Sequence, residues 1–268
     1  MFQTDVPSKN PIFTYHAPTN GPLRALLSIP HSGEDVPAAF NPFLTSDLRA
    51  MKEDVDYRVN DLVDIPRLQG SGVGVLQAHV HRVCVDLNRA EENCVMFWKE
   101  NTKGVPLVLK EASAAEVQSL IQRYHRPYFE LMSSLIYELE RLVPGKVAMV
   151  DLHSMPSAPT AYHLKQNPHQ KTHRADFCVS DQKGKTCEPS FIARFVSDLA
   201  SNGSEVAVND PYVGGFVTTF VDRFRTNNIQ IEINRRIYMD EQTKELIPAK
   251  VAVLRPHLTD CLIKGLIG

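Results

Sequence analysis

The stretch Val147-Ala148-Met149-Val150-Asp151-Leu152-His153-Ser154 opens with four apolar residues and closes on a histidine followed by a serine. An apolar run of that kind reads as a strand buried in a sheet. Leu26-Leu27-Ser28-Ile29-Pro30-His31-Ser32-Gly33-Glu34 repeats the design, again with a histidine just beyond the run and a serine after it. Open α/β folds collect their ligands at the carboxyl ends of such strands. Two histidines at two strand ends can therefore share one ion.

With these two, the strand-like runs lie at Leu23 to Ile29, Val73 to His79, Val83 to Leu87, Lys146 to Leu152, Phe177 to Ser180, Glu205 to Val208 and Ile229 to Ile233. Helical segments separate them. Ser113-Ala114-Ala115-Glu116 has the pattern of a capping box, and Val117, Leu120, Ile121 and Tyr124 follow on one face. Pro127 predicts a kink or a fresh helix start, beyond which Leu131, Leu135, Leu139 and Leu142 extend an apolar face to Pro144-Gly145. Two more helices are expected, after Pro189 and from Val251 to Ile267 around Pro256. The alternation predicts an α/β protein, a three-layer α/β/α sandwich with a central mixed, largely parallel sheet. Ala158 to Arg174, with three histidines and two prolines, reads as a long surface loop and a lid near His153.

The chain of 268 residues is long enough for a sizeable core and shows no linker, charge block or internal repeat, so residues 1-268 read as a single domain. A net charge of -2 leaves no basic excess for nucleic acid. Met1 to Pro7 lack a basic and then apolar leader, and no apolar run reaches about 18 residues, so a cytoplasmic protein with no membrane partner is expected. The five cysteines are odd in number and without a CxxC pair, which argues for reduced, buried thiols rather than disulfides or a cysteine zinc site.

A zinc hydrolase needs about three nitrogen or carboxylate ligands and one open position for water. His31 and His153 fit as ligands, and Glu34, three residues after His31, can bend back within a turn to the same ion. Arg82-Val83-Cys84-Val85-Asp86-Leu87-Asn88-Arg89 gathers two arginines and an asparagine around a short apolar run. Guanidinium groups offer planar paired donors to carboxylates, which suits an acidic small substrate; an ion pair between arginine and Asp86 is the plain alternative. In Asn228-Ile229-Gln230-Ile231-Glu232-Ile233-Asn234-Arg235 the polar residues share one strand face. A carboxylate there is costly unless paired or used, so Glu232 reads either as a general base and acid or as the ion-pair partner of Arg235 or another basic group. Serine chemistry at Ser32 or Ser154 is disfavoured, since strand neighbours point to opposite faces and no Gly-x-Ser-x-Gly elbow occurs.

Taken in order, several segments resemble the N-formylglutamate amidohydrolase family from about Leu27 to Glu241. They are Ile29 to Gly33, Asp56 with Leu62, Arg82 to Arg89, Asp151 to Met155, Asn209-Asp210-Pro211-Tyr212-Val213-Gly214-Gly215, and Gln230 to Arg235 with Tyr238 to Glu241. That family is similar to the zinc carboxypeptidase and aspartoacylase group, whose HxxE pair, distant His-Ser, Asp-x-Asn-Arg string and late glutamate have counterparts here. The resemblance implies one Zn2+ per chain on His31, His153 and an acid. Glu34 is ahead on the wider group's pattern, and Asp56 is the alternative from the nearer family. It further implies Glu232 as general base and acid, and Asn88 and Arg89 on a substrate carboxylate. Arg82 would serve the oxyanion or a second carboxylate, and Tyr212, Gly214 and Gly215 the pocket mouth. Two departures stand out: Phe129 follows Tyr128 where the family has histidine, and Thr218 to Arg225 lacks the expected glycine and proline.

The expected reaction is metal-dependent hydrolysis of an N-formyl or short N-acyl amino acid, first of all N-formyl-L-glutamate. A zinc carboxypeptidase or amidase acting on a peptide or cell-wall fragment is the second reading. A non-catalytic metal- or ligand-binding protein is the third.

Overall fold

The structure, a computed structural model, describes residues 12–268; Met1 to Pro7, read above for a leader, lie outside them. The apolar runs pair into one sheet of seven strands: β1 (Phe13–His16), β2 (Ala25–Ile29), β3 (Val73–Ala78), β4 (Val147–Met155), β5 (Phe177–Ser180), β6 (Val206–Val208) and β7 (Thr226–Asn234). Their spatial order is β1-β3-β2-β4-β7-β5-β6. The strands β3, β2, β4 and β7 run parallel, whereas β1 and β5 lie antiparallel to β3 and β7. The sheet is therefore mixed and largely parallel, as the alternation of elements implies. A two-stranded hairpin, β8 (Met239–Asp240) and β9 (Glu245–Leu246), stands apart from it.

The helices are α1 (Leu48–Met51), α2 (Ile65–Gly70), α3 (Ala114–Leu120), α4 (Arg126–Leu142), α5 (Ala161–Gln166), α6 (Pro189–Ala200), α7 (Phe216–Asp222) and α8 (Pro248–Ile267). Alternation along the strands decides which helix covers which face. Leu26, Leu76 and Met149 pack with Tyr128, Met132 and Leu139 of α4 and with Val217 and Val221 of α7. Leu27, Val150, Leu152, Ile229 and Ile231 pack with Phe191 and Phe195 of α6 and with Leu258 and Leu262 of α8. Fully burying one such side chain contributes roughly 1.5–3 kcal/mol, so the two apolar layers hold the sheet between them. Two tight turns that the site relies on, Lys52–Asp54 and Val59–Leu62, follow α1.

Several local readings need correction. Val83 to Leu87 is not a strand: it is a string of turns, with only Val85 bridging Val95. Val83, Val85 and Leu87 are buried by packing, while the backbone curls so that donors converge on Asp86. The short edge strand β1 carries too little apolar pattern to be read in advance. Near Pro127 the expected fresh helix start is found: α4 begins at Arg126 with Pro127 in its first turn, and a π-helical turn, Ile121–His125, joins it to α3. The expected surface loop after Ala158 holds α5, closed at its start by a capping box between Thr160 and His163. The capping box at Ser113 and Glu116 is present as read. All five cysteines are buried free thiols. Among the described residues no helix is long and apolar enough to cross a membrane.

Candidate functional site

β2 has β3 on one side and β4 on the other, so the chain leaves their carboxyl ends in opposite directions and opens a crevice. His31 lies just beyond β2, and His153 lies within β4. β7 runs in register beside β4 and sets Glu232 next to His153 and Gln230 next to Asp151. Asp56 arrives from the loop between the two tight turns, its N–H donating to the carbonyl of His31 at 3.2 Å. His153 Nδ1 is 2.9 Å from Asp56 Oδ2 and His31 Nδ1 is 3.6 Å from the same oxygen. One donor atom from each of His31, Asp56 and His153 falls within 4.8 Å of the others, and all three residues are buried.

The outward nitrogens are fixed as firmly. His31 Nε2 meets Asp86 Oδ1 at 2.7 Å, and His153 Nε2 meets Asp151 Oδ2 at 2.7 Å. Each ring thus turns Nδ1 inward while a carboxylate holds its far side, the arrangement by which metal-binding imidazoles are oriented and made more basic. Ser28 Oγ donates to Asp151 at 2.7 Å and braces it from beneath. Two nitrogens and one oxygen, facing one point in a buried place, make a donor set that suits zinc, with room for a fourth ligand from the crevice.

Burial works against the charge on Asp56, but hydrogen bonds from His153 and His31 outweigh it and hold the carboxyl well below its ordinary value. Burial likewise disfavours an imidazolium at His153, yet Asp151 and Asp56 raise it well above the ordinary range. Glu232 behaves in the opposite sense. Desolvation pushes its carboxyl up to about 8, against the pull of His153. Among the described residues its one side-chain hydrogen bond is from Gln230, whose Nε2 donates to Oε1 at 2.7 Å. A carboxyl tuned toward neutrality beside a metal-type cluster is suited to moving a proton.

Asp86 is the hub of the crevice wall that carries Arg82, Asn88 and Arg89. Its oxygens accept from Arg82 Nη2 at 2.9 Å, Trp98 Nε1 at 2.9 Å and the Asn88 N–H at 3.0 Å, besides His31. The arginine–Asp86 ion pair considered above is therefore real. Arg82 still borders the crevice and keeps a buried Nε without a partner. Asn88 receives the N–H of Val217 at 2.9 Å and donates to Gln230 at 3.3 Å, so it is locked into the wall. The Arg89 guanidinium lies 3.5 Å from the centre of the Phe97 ring. Tyr212, Gly214 and Gly215 border the same crevice. Gly214 sits at φ +113°, which an L side chain rarely adopts, and a Cβ on Gly215 would come 2.1 Å from Asn88 Nδ2. The cavity measures about 810 Å³, and α5 contributes Tyr162 and His163 to its rim.

Glu34 does not join the histidines. Its carboxylate is 3.0 Å from Lys52 Nζ at the surface, because the next residue, Asp35, is held by backbone bonds with His79 and His81 that direct the chain away. Asp56 takes the place beside them. Nor does Glu232 pair with Arg235. That buried guanidinium donates to Ser154 Oγ at 3.2 Å, to the carbonyl of Val55 at 2.8 Å and to Asp56 Oδ1 at 3.4 Å, clamping the Asp56 loop to the end of β4. Asp151 and Trp98 are parts of the site that carried no role in the sequence, and Arg235 serves a different partner from the one read for it. The signal for Asp151 was its place two residues before His153, on the same strand face.

The comparisons agree with this architecture. The family model described as N-formylglutamate amidohydrolase matches residues 23–239. A crystal structure of N-formylglutamate amidohydrolase from Ralstonia eutropha JMP134 is similar at 28% identity, covering 94% of this chain and 96% of that one, with a TM-score of 0.82. A gene product of Agrobacterium tumefaciens, Atu2144, shares the fold at 15% identity over 95% of this chain and 94% of its own, with a TM-score of 0.67. No curated protein matches the chain.

Proposed function

The chain belongs to the N-formylglutamate amidohydrolase family, and from that premise we propose that it hydrolyses N-formyl-L-glutamate to formate and L-glutamate with one zinc ion per chain. What carries the reading is the pair of imidazoles, each backed by a carboxylate on Nε2 and each turning Nδ1 toward Asp56. His31, Asp56 and His153 hold the metal. Bound there, zinc supplies a Lewis acid for the amide carbonyl and an activated water at neutral pH.

The chain's own residues do the rest. Glu232 takes the proton of the attacking water and delivers it to the departing nitrogen, a shuttle favoured by a carboxyl whose proton affinity lies near neutrality. Arg82 brings its positive charge and unpartnered Nε to the developing oxyanion. Asn88 and Arg89 receive a substrate carboxylate, and Tyr212 with the Gly214-Gly215 turn forms the mouth through which a small acidic N-acyl amino acid enters.

The test is release of formate and glutamate from N-formyl-L-glutamate by purified protein as isolated, after chelation, and after zinc is restored. We expect turnover, its loss, and its return. A fully metallated protein that leaves N-formyl-L-glutamate intact would overturn the substrate, and undiminished turnover after verified metal removal would overturn the metal.

A further inference from the structure

Asn88-Arg89-Ala90-Glu91 is gripped from behind at the point where the long helical pair departs from α geometry. The π-helical turn Ile121–His125 ends on His125, which is 2% exposed and sends Nε2 to the carbonyl oxygen of Arg89 at 2.9 Å. A carbonyl only accepts, so Nε2 carries the proton and Nδ1 keeps its lone pair. That Nδ1 is buried with no hydrogen-bond partner. The next residue, Arg126, donates from Nε and Nη2 to the two oxygens of Glu91, both at 2.9 Å. On the crevice side the Arg89 guanidinium rests on Phe97 at 3.5 Å and Trp98 at 5.1 Å. Arg89 is thus fixed through its carbonyl, through the acid two residues on, through its own ring stack, and through an ion pair of its Nε with Asp86 Oδ2 at 3.4 Å.

An extra residue in a helical turn and an unpaired buried imidazole nitrogen both cost stability. Such turns recur at functional sites because they re-aim side chains, and an unpaired buried polar group calls for a reason. Here the π turn ends on the residue whose Nε2 reaches the Arg89 carbonyl. We propose that His125, set by the π turn, is a positioning residue for Arg89 and thereby for the preference for a substrate with a second carboxylate. The proposal rests on Arg89 as the group that receives that carboxylate.

The test compares wild type with His125→Phe, which keeps a ring beside Phe129 and Phe216 but has no donor, and with His125→Gln, which returns an N–H near the place of Nε2. Arg89→Ala is the reference, and kcat and KM are measured for N-formyl-L-glutamate and N-formyl-L-glutamine. We expect H125F to raise KM for the glutamate substrate about tenfold with kcat changed by less than about twofold. It should also narrow the glutamate-to-glutamine preference, and H125Q should recover most of both. If R89A leaves KM and preference unchanged, the reading of Arg89 fails. If R89A impairs both and H125F neither, the positioning role fails. Relaxation of the Arg89 Nε–H by nitrogen NMR decides the matter without substrate: rigid in wild type and mobile in H125F supports the proposal, and equal rigidity overturns it. Should H125F not fold, Arg126→Gln, at a half-exposed position, is measured the same way and should also loosen Arg89.

Discussion

Glu232 shows how one residue's chemistry depends on its surroundings. In water its carboxylate would be a weak base, but burial at the carboxyl end of β7, with Gln230 as its one close donor, raises its proton affinity. Glu232→Gln should lower kcat by about 10²–10⁴-fold, the range over which positioned acid–base groups act. Metal content, measured by atomic emission, should stay at the wild-type level; wild-type turnover in this variant would remove Glu232 from the proton path. Asp56 and Glu34 form a contrasting pair. Glu34 carries its charge at the surface on Lys52, whereas Asp56 sits between the two imidazoles. Asp56→Asn should lose bound metal and activity together, and Glu34→Gln should keep both. Metal retained in D56N with metal lost in E34Q would restore the HxxE assignment.

At the scale of elements, the nine-residue register between β4 and β7 sets Glu232 beside His153. A slip of one residue would turn every side chain of β7 to the other face, so the isoleucines that fill the lower core are also what aims the carboxyl upward. The loop from Asn209 to Gly215 is a second case. It approaches Asn88 so closely that only a residue without a Cβ fits at Gly215. Gly215→Ala should displace Asn88 or the loop and raise KM for N-formyl-L-glutamate, while shifting the melting temperature by only a few degrees, since the loop borders the crevice rather than the core. An unchanged KM would show that Asn88 takes no part in binding. The turn-rich stretch after Val83 shows the limit of pattern reading: buried valines look alike whether a ladder or a set of turns places them.

For the whole molecule, buried histidines tie stability to pH. Burial and the nearby charge of Arg82 lower His81 from its ordinary 6.5 to about 4, so the folded state holds it neutral. The unfolded chain takes up that proton first as pH falls. The contribution of His81 is therefore complete above about 6.5 and is lost progressively toward pH 4. Urea unfolding midpoints of the metal-free protein should fall over that window, and less steeply in His81→Asn, which keeps an acceptor for the Val83 N–H. Equal slopes would mean that His81 does not set the acid sensitivity. What the sequence by itself determined is the α/β architecture, the two histidine-bearing strand ends and the carboxylate of Glu232, because apolar periodicity is a local property and names the strand, its face and its polar exceptions. Only the tertiary structure decided that Asp56 rather than Glu34 stands beside the two imidazoles. It also decided that Asp86 and Asp151 orient the imidazoles, and that Arg235 clamps the Asp56 loop. Those choices depend on which distant loop reaches the crevice, and that follows from backbone bonds and buried charge pairs across the fold, which no spacing along the chain records.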